Sequence, residues 1–464
     1  MTTTDAPRRP GAVRPEGPPP DSERGRTLPR ASVRDTVQVV GRVLLPTLAR
    51  GVIVRRPPMV RLAERMDADA VAVDVLRTMR RRYGPGPLRL RTGRRMVVLL
   101  DPQHVHDVLA NTPTPFSPAT AEKRRALRHF QPHGVLISTG ADRADRRRYV
   151  EEVLEASNRV HHGAGPMVAA INDEVDALVR RARRDGVLAW EDYSRMWDRM
   201  VRRVVLGDGA ADDDALTRDL VRLRATANWA FLHPQRRRLR TRFLDRVAEH
   251  VARSESGSLA AWMARAVTTD RTQPVHQVPQ WMFAFDAAAW ASFRALAVLS
   301  TLPDQMALAR TEVAGRDLTV PQDLRHLRAC VLESLRLWPT TPAILRETTA
   351  RTRFPGGPMP ERTSVLIYAP LFHRDRDGVP HADRFVPERW ADEDIERDWP
   401  LVPFSAGPGE CPGRNLVLHC SSTVLARLVG DLALSGPPGR LRPGTDLPGT
   451  LDPFSLRMAA HEPA

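Results

Sequence analysis

Cysteine, lysine and aromatic residues are all scarce in this 464-residue chain, and each scarcity excludes something. The three cysteines, Cys330, Cys411 and Cys420, cannot build a disulfide framework, and no pair of them has the spacing of zinc ligands. Such usage fits a reducing cytoplasm. Lys123 is the lone lysine, so arginine carries the net charge of +15. The arginines are spread through helical patterns rather than gathered in one stripe, and aromatics make up only 5% of the chain. Base-stacking platforms are therefore few, and nucleic acid is not the expected partner.

Long uninterrupted apolar runs are missing near the N-terminus as well. Val33 to Val54 is cut by Arg42 and Arg50, so no transmembrane segment is expected there. It is expected to be a helix packed on the domain, with contact to a membrane surface as the weaker alternative. Before it, residues 1–31 are dense in Pro and Arg and poor in large apolar residues, the composition of a disordered tail. Arg8-Arg9 resemble the start of an export signal, but Pro10 to Arg14 stand where its apolar core would be. Residues 32–464, with no long linker, are expected to form one large domain, and 42% apolar residues are enough for its core.

What is there is mostly amphipathic helix. Apolar residues recur at three- and four-residue spacing over Val168 to Arg183, Leu216 to Trp229 and Leu239 to Val251. Trp281 to Leu299 is almost wholly apolar, broken by Asp286 and Arg294, as a helix through the middle of a large domain would be. Asp304 to Ala314, closed by Gly315, and Gln322 to Trp338, stopped by Pro339, are two more helices. Strands are expected at Pro87 to Thr92, Arg95 to Leu100, Ala343 to Thr348 and Ser364 to Tyr368. Phe372 to Val402 has little periodicity and is expected to be irregular, after which helical spacing resumes behind Cys411. The fold class is mainly α with small β-sheets.

Chemistry concentrates in Phe404-Ser405-Ala406-Gly407-Pro408-Gly409-Glu410-Cys411-Pro412-Gly413-Arg414. With Pro412 at the first helical position, Cys411 is expected to cap a helix N-terminus, a setting that lowers a thiol's pKa. Gly407, Gly409 and Gly413 leave a nearly side-chain-free surface on which a flat ligand can lie, beside the ring of Phe404. This stretch resembles the cysteine loop of the cytochrome P450 family, Phe-x-x-Gly-x-x-x-Cys-x-Gly, at Phe404, Gly407, Cys411 and Gly413. The resemblance is to its soluble bacterial members. It implies a single-domain cytochrome P450 fold, haem b (heme b, iron protoporphyrin IX) as cofactor, and Cys411 as the ligand of the iron.

Other residues match the family in order. Glu333 and Arg336 resemble its Glu-x-x-Arg pair, and Arg389, in Phe385-Val386-Pro387-Glu388-Arg389-Trp390, its Pro-Glu-Arg motif; these three are expected to be structural. Arg346 matches an arginine that meets a haem propionate. Arg143 and Arg147 match a Trp/His-x-x-x-Arg helix, with Arg143 in the aromatic's place. Two departures stand out. Gly409 occupies a position that is often basic, a loss that Arg143 is expected to offset. Asp286, Ala287 and Ala288 resemble the central-helix motif above the haem, but alanines replace its threonines, leaving Asp286, water or a substrate hydroxyl to deliver protons. Phe285, Trp290 and residues between Pro115 and Ile137 are expected to line the substrate pocket.

The resemblance implies a monooxygenase that hydroxylates or epoxidises a small organic substrate, taking electrons from a separate ferredoxin or flavodoxin docked on a basic face with Arg146, Arg148 and Arg414. A peroxide-driven or non-oxygenating haem-thiolate enzyme, or a non-catalytic haem-binding protein, are the alternatives.

Overall fold

The segment with the fewest polar residues becomes the axis of the molecule. In the computed structural model, which describes residues 27–354, 357–391, 401–437, 439 and 441–463, Val278–Leu299 is one helix. Fifteen of its 22 residues are buried, so it has no continuous solvent face and lies inside the domain. Helices Trp190–Leu206, Arg325–Leu337 and Arg414–Asp431 pack around it. Among the described residues, Pro274–Leu299 is the one helix long and apolar enough to cross a membrane, and 67% of its most apolar window is buried inside the protein. Arg294, its inner arginine, donates to the Leu451 carbonyl at 2.6 Å, which satisfies a charge that burial would otherwise strand.

The expected helices are present with shifted ends: Ala164–Asp185, Asp214–Ala227, Arg237–Arg253, Pro303–Val313 and Arg325–Leu337. Gly315, at φ +71°, follows the fourth of these. Five strands form the main sheet, β1 (Leu88–Arg89), β2 (Met96–Val98), β3 (Phe116–Ser117), β5 (Ala343–Thr348) and β8 (Ser364–Tyr368), in the order β1-β2-β8-β5-β3. β2 and β8 run parallel and the other pairs antiparallel. Smaller sheets join β4 (Val187–Ala189), β10 (Arg457–His461) and β9 (Ala433–Ser435), and β6 (Thr352–Phe354) with β7 (Gly357–Met359). One hydrophobic cluster fills the helical part and a second lies under the main sheet.

Two N-terminal expectations need correcting or narrowing. Of the tail, residues 1–26 lie outside the described residues, but Leu28 and Ala31 are buried, and Ala31 and Pro29 share backbone hydrogen bonds with Arg89. Packed structure thus begins before Ser32, because β1 offers a free edge at that point. Val33–Ala49 is helical with a π turn at Val40–Leu44, just before Pro46, which has no N–H to give. One face, with Val39 and Val43, is buried, while Val33, Val37, Leu45 and Leu48 are exposed.

The irregular stretch after Phe372 is tied down by one carboxylate; residues 392–400 within it lie outside the described residues. Glu333 and Arg336 are both wholly buried. Glu333 accepts from Arg336 Nε at 2.8 Å and Nη2 at 2.7 Å, from Arg389 Nε at 3.2 Å, from the Val386 amide at 2.9 Å and from Trp390 Nε1 at 2.9 Å. Arg336 in turn donates to the carbonyls of His373 and Ala382, both at 2.7 Å, and of Arg384 at 2.9 Å. Burial pushes the Glu333 carboxyl up, but Arg336, Arg389 and the amide outweigh it and hold the carboxyl below its usual range. Removing the acid alone strands two buried guanidinium groups. Glu333→Ala is therefore expected to destabilise the fold by roughly 3–5 kcal/mol, while Arg389→Ala, at the partly open end, should cost less. Urea unfolding of both variants measures the difference.

Candidate functional site

The Cys411 loop is shaped by its backbone. The Cys411 amide donates to the Phe404 carbonyl and the Glu410 amide to the Gly407 carbonyl, each at 2.9 Å, which folds 404–411 into a tight bend. Gly407 has φ +63°, and a Cβ there would lie 2.5 Å from the Leu109 carbonyl oxygen, so only glycine fits. The following helix starts at Arg414, with Gly413 as its cap, not at Cys411 as expected. Pro412 belongs to the turn before it. The thiol's environment differs accordingly: burial pushes the Cys411 thiol up, and the Gly413 amide, Arg147 and Arg414 only partly oppose it.

His373 holds the segment that leads into the loop. Its Nδ1 lies 3.2 Å from the Arg336 carbonyl, and its Nε2 accepts from the Val402 amide at 2.9 Å. The ring is therefore neutral with the proton on Nδ1, and burial next to Arg336 pushes its pKa down to about 3. Sequence reading missed this residue because nothing local marks a histidine that bridges two distant backbone groups.

Cys411 opens into a cavity between its loop and the central helix. Phe404, Gly409, Cys411, Pro412 and Gly413 form one wall, and Ala284, Phe285, Ala287 and Ala288 the facing one. A Cβ built on Gly413 would lie 4.0 Å from Cys411 Sγ, so that glycine keeps the approach to sulfur open. Of the stretch 115–137, Pro118, Lys123, Val135 and Leu136 reach the cavity.

Two expected lining residues do not. Asp286 points to the other side of the central helix, where its carboxylate meets Arg224 Nη1 at 2.6 Å, in a separate pocket with Trp197 and Asp198. Trp290 borders that second pocket too, with Arg55 over its ring at 5.6 Å. A helical advance of 100° per residue carries position 286 away from the face shared by 284, 287 and 288. No hydroxyl or titratable group of the central helix lines the Cys411 cavity.

Cations do line it: Lys123, Arg143, Arg147 and Arg346, against Glu410 as the one acid among the described lining residues. Arg143 donates to the Val135 carbonyl at 3.1 Å, and Arg147 to the Glu410 carbonyl at 2.6 Å and to Glu151 at 2.5 Å. Arg346 donates to Ser405 Oγ at 3.0 Å and Thr112 Oγ1 at 3.2 Å. Burial, with Arg143 nearby, pushes the Arg346 pKa down to about 10. Lys123, on helix Ala121–Leu127, falls within the stretch expected to line the pocket, but no cationic role was assigned to it there. Of the expected basic face, Arg146 is buried against Ser138 and the Arg271 carbonyl, so it is not available to a partner; Arg148 remains partly exposed.

A flat apolar slot with a thiol on one wall and an excess of cations at its edge suits a planar, dianionic iron porphyrin. The comparisons with known proteins agree. Residues 270–448 match the family model for cytochrome P450.

Over those residues the chain matches the cytochrome P450 family, and its fold is that of a cytochrome P450. Its matched relatives include berbamunine synthase of Berberis stolonifera, 35% identical over 146 residues that make up 29% of this chain and 30% of that protein. Cyclooctat-9-en-7-ol 5-monooxygenase of Streptomyces melanosporofaciens is 34% identical over 119 residues, 25% of this chain and 26% of that one. These matches span about a third or less of the relatives' length. A crystal structure of the cytochrome P450 CYP102L1 superposes with a TM-score of 0.67 at 22% identity, covering 84% of this chain and 94% of that chain, so the fold is shared almost end to end. The family implies a haem-iron cofactor.

His373 gives a test of the loop anchor. Its folded pKa lies near about 3, below the ordinary 6.5, so between those values the unfolded state binds the extra proton. Stability is expected to be full above pH ~6.5 and to fall by a few kcal/mol as the pH drops toward about 3. In His373→Gln, whose amide keeps both hydrogen bonds without titrating, urea unfolding across this range should show a shallower slope.

Proposed function

We propose that this P450 is a monooxygenase that hydroxylates or epoxidises a small, mostly apolar organic substrate, and that Cys411 would hold the iron of haem b. The observation that carries the reading is the convergence of the Cys411 thiol, the edge cations and a bare alanine face on one cavity. Bound there, haem would supply an iron made electron-rich by thiolate, able to activate dioxygen so that one oxygen atom enters the substrate. The chain's own residues do the rest. Arg143, Arg147 and Arg346 neutralise the propionates. Phe404, Gly409 and Gly413 would shape the surface against the porphyrin, with Gly407 fixing the bend behind them, and the Gly413 amide with Arg147 works against the burial that raises the Cys411 thiol. Ala284, Ala287 and Ala288 leave room for substrate, and Phe285, Val135 and Leu136 exclude water.

Protons are the distinctive point. Ala287 and Ala288 offer none, and Asp286 is held by Arg224 on the far side of the helix. Ordered water or a substrate hydroxyl then carries the proton to the cavity. Electrons come from a separate ferredoxin or flavodoxin. The Streptomyces relative and the use of arginine in place of lysine fit a bacterial source, and three unpaired cysteines suit the reducing cytoplasm. From Leu28 onward the chain acts as one haem domain.

In the reduced protein, carbon monoxide is expected to produce the red-shifted Soret band that gives the family its name, and Cys411→Ala should lose that band. A wild type that takes up no haem, or a band indifferent to the substitution, overturns the reading.

A second reading, a peroxide-driven or non-oxygenating haem-thiolate enzyme, draws on the same bare alanine face. The two separate on turnover. Monooxygenation predicts product with dioxygen and a reductase chain at rates well above those with hydrogen peroxide alone, and the second reading predicts the reverse.

A further inference from the structure

Gly409 stands where the family resemblance implies a cation at the porphyrin edge, and a side chain there would have to displace Arg346. A Cβ on Gly409 would lie 3.0 Å from Arg346 Nη2 and 3.0 Å from Thr112 Cγ2, so Arg346 already occupies the space. The charge has to come from another element. Lys123 stands on the first turn of helix Ala121–Leu127, where the Thr120 hydroxyl accepts its backbone amide at 3.3 Å. Its side chain lines the Cys411 cavity, near Arg346 and Arg143.

We propose that the Lys123 ammonium, with Arg346, binds a haem carboxylate and so replaces the cation missing at Gly409. This rests on the haem reading above. Each arginine at the edge is already engaged by protein acceptors, Arg143 by Val135, Arg147 by Glu410 and Glu151, Arg346 by Ser405 and Thr112. Among the described residues no hydrogen bond or ion pair reaches the Lys123 ammonium. Three donors on a charged group inside a cavity call for an anion. Burial and the two positive neighbours, against a smaller pull from Glu122, push its pKa down to about 7, and a carboxylate at this place removes that penalty. Residue choice points the same way. In a chain with 70 basic residues, the only lysine is the one facing this cavity, where a compact ammonium fits a carboxylate without the span of a guanidinium.

The test measures haem loss, not turnover. Holoprotein is reconstituted either with iron protoporphyrin IX or with its dimethyl ester, and transfer to excess apomyoglobin is followed by the Soret band. Lys123→Met, which keeps the apolar stem, is expected to lose the diacid haem about tenfold faster than wild type, the loss of one charge-assisted hydrogen bond. Lys123→Arg should stay within about threefold, since charge is kept. With the dimethyl ester, wild type and Lys123→Met should release haem equally fast. Arg125→Gln, exposed on the same helix, serves as control and should match wild type. Equal rates for wild type and Lys123→Met with the diacid overturn the proposal while leaving the haem reading intact. So does an equal acceleration with diacid and ester, which would mark a packing role. A wild type that binds neither porphyrin removes the haem reading itself.

Discussion

A carboxylate taken out of water costs several kcal/mol unless charge and hydrogen bonds around it make up the difference. Glu333 is such a group, and most of the machinery near Cys411 is arranged by satisfying it. Its donors come from its own helix through Arg336 and from the 386–390 stretch through Val386, Arg389 and Trp390. Arg336 then spends its remaining donors on the carbonyls of His373, Ala382 and Arg384, in a segment with little regular structure of its own. His373 passes the constraint on to Val402, two residues before Phe404. The position of the cysteine loop is thus tied to a chain of buried polar contacts that starts at Glu333. Such a network is worth more than its separate bonds, because each partner left alone is a buried charge or an unpaired amide.

The cavity has the opposite electrostatic character. Four cations face it with one acid, and three of them, Lys123, Arg143 and Arg346, are held below their ordinary pKa by burial and by neighbouring arginines. An acidic network that is complete and a basic rim that is not lie within one molecule. The first stabilises the chain as it stands. The second is stabilised by an anion it does not itself contain, so binding a dianionic cofactor and stabilising the fold are linked.

Much of this was legible in the sequence wherever function sits in local spacing. Glu333 with Arg336, and Phe404 through Gly413, are short patterns whose residues meet because they are near in sequence. Long-range partners were not legible. His373 acts on groups far away along the chain, and no periodicity marks it. The helix after Cys411 begins later than Pro412 suggested, since a proline suited to a first helical turn is equally suited to the preceding bend. The facing of Asp286 failed for another reason. A helix buried on nearly every side has no polar stripe, so apolar pattern cannot say which side chains turn to which cavity.

That two-sidedness of the central helix bears on the chemistry. Ala284, Ala287 and Ala288 form one face at i, i+3, i+4 spacing, and Met282, Asp286, Ala289 and Trp290 border the pocket on the other. On that second side Asp198 is pushed up to about 7 by burial and by the Asp286 charge, while Arg224 holds Asp286 at 2.6 Å. Titratable groups are therefore present within one helix diameter of the cavity, yet on the wrong side of the backbone to reach it directly. On the monooxygenase reading proposed above, a proton reaching the alanine face comes along solvent or on the substrate, and its supply depends on how well each substrate orders water there. On that reading, rate and substrate choice are coupled through that water, because the central helix places no titratable group on its cavity face.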